Sequence, residues 1–225
     1  DNVYTVRPSG RKDLPSASYT LTPALAAKPY LSFKLQPVEG FPEGKYTPAD
    51  ASVADLDGDG EYEIIIKMVT TEFDNGGGGL CTEGSLIDAY KLDGTFMWRV
   101  DLGLNIRQGA HYTQMMLYDF DGDGKAELAV KTAEGTKFGD GAVIGDVNGD
   151  GRTDYRITDR SQRAYGKILE GPEFLSIIEG STGRELARTD FIPRGEKGEF
   201  GDTYGNRVEI LEKSGTWGRT SKGWI

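Results

Sequence analysis

The stretch Asp55-Leu-Asp-Gly-Asp-Gly-Glu-Tyr-Glu-Ile-Ile-Ile-Lys67 decides the fold. Its first nine residues alternate carboxylates with turn formers. Its last residues are a short β-branched apolar run. Side-chain oxygens at positions 1, 3 and 5 (Asp55, Asp57, Asp59) can converge on one ion, and the glycine at position 6 permits the tight turn around it. Hard oxygen ligands of this kind suit Ca2+ far better than Zn2+ or Cu2+. In a helix–loop–helix calcium site the closing Glu stands at position 12. Here Glu63 closes at position 9 and opens directly into a strand, so the loop joins strands rather than helices. The pattern recurs twice, as Asp119-Phe-Asp-Gly-Asp-Gly-Lys-Ala-Glu127 and as Asp146-Val-Asn-Gly-Asp-Gly-Arg-Thr-Asp154. The candidate metal residues are therefore Asp55, Asp57, Asp59, Glu61 and Glu63 in the first loop. They are Asp119, Asp121, Asp123, Lys125 and Glu127 in the second, and Asp146, Asn148, Asp150, Arg152 and Asp154 in the third. Ca2+ is the expected ion, and structural roles are expected because each loop nearly saturates its ion with protein oxygens.

Laying the loops side by side reveals a repeat. From Asp55 the order is metal loop, strand over 64–68, Gly-rich loop over 74–79, strand over 86–92, turn at Asp93-Gly94 and strand over 95–100. From Asp119 it is metal loop, strand over 128–132, an insertion holding the third acidic loop, strand over 174–179, turn at Thr182-Gly183 and strand over 184–189. Short strands, glycine turns and one metal loop per unit predict an all-β chain of β-propeller blades with calcium loops. Two units do not close a propeller, so an incomplete part of one is expected. Residues 1–45 read as an N-terminal β lead-in, with strands over 2–7, 18–21 and 30–34. Residues 46–207 read as calcium-binding blades and 208–225 as an atypical tail.

The 225 residues carry 36 acidic against 26 basic side chains, a net charge of −10. That balance excludes nucleic acid and anionic membranes as expected partners. No apolar run approaches the length of a transmembrane helix. Cys81 is the single cysteine, so no disulfide forms within the chain. Bound calcium can rigidify loops instead, which suits the calcium-rich space outside cells. The chain starts at Asp1 without a signal peptide, and reads as a mature or excised product of a secreted protein, extracellular or periplasmic, acting as a monomer.

Further segments carry a resemblance: Leu86-Ile-Asp-Ala-Tyr-Lys-Leu-Asp-Gly-Thr95, Trp98-Arg-Val-Asp-Leu-Gly103 and Asn105-Ile-Arg-Gln-Gly-Ala-His-Tyr-Thr-Gln114. So do Tyr118 through Glu127, Lys131-Thr-Ala-Glu-Gly-Thr136, Gly171-Pro-Glu-Phe-Leu175 and Gly201-Asp-Thr-Tyr-Gly-Asn-Arg207. With these the chain resembles polysaccharide lyase family 11, the rhamnogalacturonan lyases, secreted bacterial enzymes that degrade pectin. The resemblance implies an eight-bladed propeller with several structural Ca2+ ions, of which this chain is an N-terminal part. It also implies rhamnogalacturonan I, a pectic polysaccharide, as partner. The implied reaction is β-elimination: the C5 hydrogen of galacturonate is removed and the C4–O bond to rhamnose breaks. Such chemistry needs a positive charge on the uronate carboxylate and a base at C5.

The candidates for those tasks are Arg107, His111 and Lys131 as catalytic groups and Asn75, Arg107 and His111 as substrate-binding groups. Each has a plainer reading. His111, the lone histidine, equally suits a core position. Arg107 could pair with a uronate or form an internal salt bridge. Lys67 and Lys131 each stand four residues after a closing Glu, and this recurrence suits a structural strand-end lysine as well as a base. Asn75 lies in a glycine turn that could be nothing more. A non-catalytic, calcium-stabilised propeller fragment that binds carbohydrate or acts as a scaffold is the alternative to a lyase.

Overall fold

The acidic loops end where apolar runs begin, and those runs become the second strand of each of two matching sheets. The computed structural model describes residues 2–11, 13–23, 30–70, 79–109, 113–162, 165–166, 168 and 170–191. Two compact units result, Asp1–Leu35 and Gln36–Ile225. The candidates Asn75 and His111 and the tail 208–225 lie outside the described residues.

The first unit holds an antiparallel hairpin of β1 (Asn2–Val6) and β2 (Ala17–Leu21), with Tyr4 opposite Tyr19. The expected strand over 30–34 does not form. Its Tyr30 and Leu31 are exposed, so no buried face rewards pairing.

In the second unit, one sheet has the order β3 (Tyr46–Ala54), β4 (Glu63–Thr70), β5 (Leu86–Tyr90), β6 (Phe96–Asp101). The other is built from β7 (Met115–Tyr118), β8 (Glu127–Ala133), β9 (Glu173–Ile178) and β10 (Glu185–Asp190), neighbours in that order. All pairings are antiparallel. The all-β expectation therefore holds. Each repeat begins one strand earlier than the sequence reading put it, because β3 and β7 precede the metal loops. Both strands are weak in sequence. β3 contains Pro48 and few apolar residues, which an edge strand tolerates, and its register shifts between Pro48 and Ala51. β7 has only four residues.

Register explains the core. Ile65 lies opposite Ala89, which lies opposite Trp98, while Leu128 lies opposite Ile178. Alternate residues share a face. The inward faces of both sheets, with Leu56 from the first metal loop, merge into one buried cluster. β3 lies beside β7, so the first strands of the two sheets are neighbours. No helix among the described residues is long and apolar enough to cross a membrane.

Trp98 brackets the two sheets. Its indole N–H donates to the Gly180 carbonyl at 2.7 Å. Its ring lies against Gly183 (φ +72°), where a Cβ would stand 2.8 Å from ring carbon. Trp98→Ala is expected to cost about 3–5 kcal/mol, read by urea unfolding. A cost under about 1 kcal/mol would show that the bracket is dispensable.

Candidate metal centres

All three acidic loops use the same internal bonds. The position-1 carboxylates Asp55, Asp119 and Asp146 each accept the N–H of position 4 at 2.7 Å and that of position 6 at 2.8–3.0 Å. Both glycines that donate in each loop have positive φ, 71–90°. The position-5 residues Asp59, Asp123 and Asp150 accept from Glu61, Lys125 and Arg152 at 2.8 Å in every case. These bonds use each oxygen of the position-1 carboxylates and one oxygen of the position-5 carboxylates, and each oxygen keeps a further lone pair that can turn to a cation.

The first loop joins β3 to β4 and the second joins β7 to β8. They are tied together where the Ala126 N–H donates to the Asp55 carbonyl at 2.8 Å. In each, the closing Glu turns back: Glu63 accepts the Leu56 N–H at 2.8 Å and Glu127 accepts that of Phe120 at 2.9 Å. Asp55, Asp57 and Glu63 can bring ligand atoms within 4.8 Å of one another, and so can Asp119, Asp121 and Glu127. Burial, and then the nearby Asp carboxylates, push the Glu127 carboxyl above its ordinary range. Asp59 lies below its range, held there by the Glu61 N–H and by Lys91.

The third loop is closed differently. Asp154, the sequence candidate, turns to Arg156 in a two-point ion pair at 2.6 and 2.9 Å. Arg156 holds it below the usual carboxylate range. The Val147 N–H, equivalent to those of Leu56 and Phe120, instead donates to Glu134 at 2.8 Å. Glu134 is fully buried, and its other oxygen accepts the Tyr155 hydroxyl at 3.0 Å. Burial, with the carboxylates of Glu134 and Asp150, pushes that phenol up to about 12. Asn105 pins the arrangement by donating to the Glu134 and Thr153 carbonyls at 2.8 and 2.9 Å. Glu134 was invisible to the loop pattern because it precedes the loop.

The donor sets fit a hard divalent cation: three or four carboxylate or amide oxygens per loop and no sulfur or imidazole. The first loop already holds a cation of its own. The Lys91 ammonium lies 2.7 Å from Asp57, 3.1 Å from Asp59 and 3.6 Å from Glu63. When bound, a divalent cation would supply the charge neutralisation that the second loop's carboxylates lack. Lys125 and Glu61 expose their side chains, while the Arg152 side chain pairs with Glu170 and lies over the Tyr155 ring.

The other described candidates are spread over the second unit. Arg107 is buried and donates to the Gly166 carbonyl at 2.9 Å. Lys131 is buried, 3.0 Å from Glu173 and over the Phe191 ring. Lys67 is buried, 2.6 Å from Asp50. Both lysines are thus engaged with carboxylates on adjacent strands. Beside Arg107, Gln108 accepts the Thr70 N–H at 2.8 Å and donates to the Glu83 carbonyl. Thr113 is the single described non-glycine residue with positive φ, +55°. Buried strained backbone of this kind concentrates at functional sites.

Comparison with known proteins agrees with this architecture. The family model for rhamnogalacturonan lyase family 11, C-terminal domain, matches residues 33–214. The chain belongs to this family. The matched model describes the C-terminal domain of the family, where the resemblance implied an N-terminal part. Rhamnogalacturonan endolyase YesW of Bacillus subtilis (strain 168) is 51% identical over 190 residues, covering 81% of this chain and 29% of that protein. Rhamnogalacturonan exolyase YesX of the same organism is 51% identical over 173 residues, covering 75% and 26%. The solved Bacillus licheniformis rhamnogalacturonan lyase is similar with a TM-score of 0.70 at 50% identity, covering 91% of this chain and 34% of that one. The chain therefore spans under a third of the two curated relatives.

Proposed function

We propose that this chain is a portion of a secreted, calcium-stabilised lyase that cleaves the galacturonate–rhamnose backbone of rhamnogalacturonan I by β-elimination. The observation that carries the reading is the 51% identity to two named rhamnogalacturonan lyases over most of the chain. Calcium would be held by Asp55, Asp57, Asp59 and Glu63 in the first loop, and by Asp119, Asp121, Asp123 and Glu127 in the second. In the third, Asp146, Asn148, Asp150 and Glu134 would hold it. The two sheets would be adjacent propeller blades, a reading supported by the neighbouring β3 and β7. The second sheet also leaves Met116, Tyr118 and Leu175 exposed on one face. A further blade packed there would bury them. The net charge of −10 supports a monomer that binds neither nucleic acid nor anionic membranes. Arg107, on its buried loop beside Thr113, is the described candidate to meet the uronate carboxylate.

The test is release of unsaturated uronate from rhamnogalacturonan I, followed by near-ultraviolet absorbance. Calcium-dependent product that disappears in EGTA and in Arg107→Ala is the expected result. A second reading, a non-catalytic carbohydrate-binding or scaffolding fragment, is favoured by the share of the relatives the chain spans. A folded, calcium-loaded sample that yields no product would assign the chain to it.

A further inference from the structure

The first two metal loops match in their internal bonds but differ in what lies over them. Ile64 of β4 pairs with Tyr90, and Leu128 of β8 pairs with Ile178. The next residues, Lys91 and Glu179, therefore occupy equivalent places in the two sheets. Lys91 reaches into the first loop and bonds Asp57 and Asp59. Glu179 turns away from the second loop, towards Arg184 at 3.1 Å and the Thr182 hydroxyl. Among the described residues, no ion pair reaches Asp119, Asp121, Asp123 or Glu127.

We infer that Lys91 is a tethered cation that competes with the metal in the first loop, so that this site binds calcium more weakly than the second and holds its shape without it. The inference rests on the calcium reading of these loops. Three features support it. The ammonium sits among the side-chain oxygens that would ligate an ion, so an incoming cation must displace it or share their charge. The side chain is 37% exposed, which gives it room to swing into solvent when displaced. The second loop, with like internal geometry and no such lysine, leaves Asp119, Asp121 and Glu127 facing one another until a cation arrives.

The experiment is a calcium titration by calorimetry, with melting curves in EGTA, on the wild-type chain and on Lys91→Met and Lys91→Arg. Asp57→Asn assigns the heat from the first loop and Asp121→Asn that from the second. Wild type should show the first-loop step weaker than the second. Lys91→Met should tighten that step about five- to tenfold, the scale of a partly exposed ion-pair network. It should also lower the melting temperature in EGTA. Lys91→Arg should retain wild-type behaviour on both counts. A folded Lys91→Met chain with unchanged first-loop affinity overturns the inference and leaves the calcium reading standing. If no variant and no wild-type sample takes up calcium, both fall together.

Discussion

Chelating calcium with EGTA lowers the melting temperature of this chain by about 15–30 °C in the expected result. An ion held at about a hundred times its dissociation constant adds about 2.7 kcal/mol to the folded state, and three such sites add roughly 8 kcal/mol. For a domain of this size each kcal/mol moves the midpoint by about 2–4 °C. The structural reason is the position of the loops. Two of them are the connections between the first and second strands of the sheets, and Leu56 and Ala126 within them belong to the core. Removing the ion leaves clustered carboxylates to repel in the second loop, while in the first Lys91 offsets part of that charge. Glu127 adds a pH signature. Its folded carboxyl is shifted upward, so the metal-free fold favours its protonated form. That contribution is present at pH values below the ordinary glutamate range and is lost as pH rises through the shifted value. The EGTA-treated chain should therefore regain part of its stability on mild acidification. Asp121→Ala and Asp57→Ala should each remove a share of the calcium effect. Identical melting curves in calcium and EGTA would refute calcium stabilisation outright.

The strands that carry dense apolar runs were legible in the sequence. Glu63–Thr70 and Glu127–Ala133 follow their loops as the β-branched and small apolar residues require, with ends displaced by no more than two residues from expectation. The edge strands were not. Tyr46–Ala54 shows no regular alternation and carries a proline, and its pairing is imposed by β4 rather than by its own preference. Leu31 illustrates the reverse: an apolar side chain in an apparently alternating stretch that no described residue covers.

The sites divide the same way. Loop chemistry is local, so nine-residue patterns picked out carboxylates that the fold brings together in the first two loops, where the closing Glu begins a strand. The roles of Lys67 and Lys131 depend on neighbours distant in sequence. Lys67 is met by Asp50 on the preceding strand and Lys131 by Glu173 on the following one, so equal spacing conceals unequal partners. Lys91 was passed over for a related reason. Its spacing to Asp57 spans a whole strand and loop, and only the return of β5 brings it over the first metal loop.

The third loop carries the clearest contrast, between Glu134→Gln and Asp154→Asn. Both Glu134 oxygens are used, one by the Val147 N–H and one by the Tyr155 hydroxyl, in a fully buried setting. Gln keeps the shape but turns an amide donor towards a position that now receives a donor. A buried polar mismatch of this kind costs about 1–3 kcal/mol. Asp154→Asn disturbs only a partly exposed ion pair with Arg156, worth at most about 1 kcal/mol. The sequence carried a sign of this difference. Glu63 and Glu127 run into apolar strands, whereas Asp154 runs into Tyr155-Arg-Ile-Thr-Asp159, with arginine two residues on to claim the carboxylate. Glu134→Gln is accordingly expected to lose one bound calcium per chain and to unfold at lower denaturant concentration. Asp154→Asn should keep full stoichiometry. Calcium counting by calorimetry on folded samples reads this directly. If Asp154→Asn loses the ion while Glu134→Gln retains it, the loop closes on its own ninth residue like the other two, and Glu134 is left with a purely structural role beneath Tyr155.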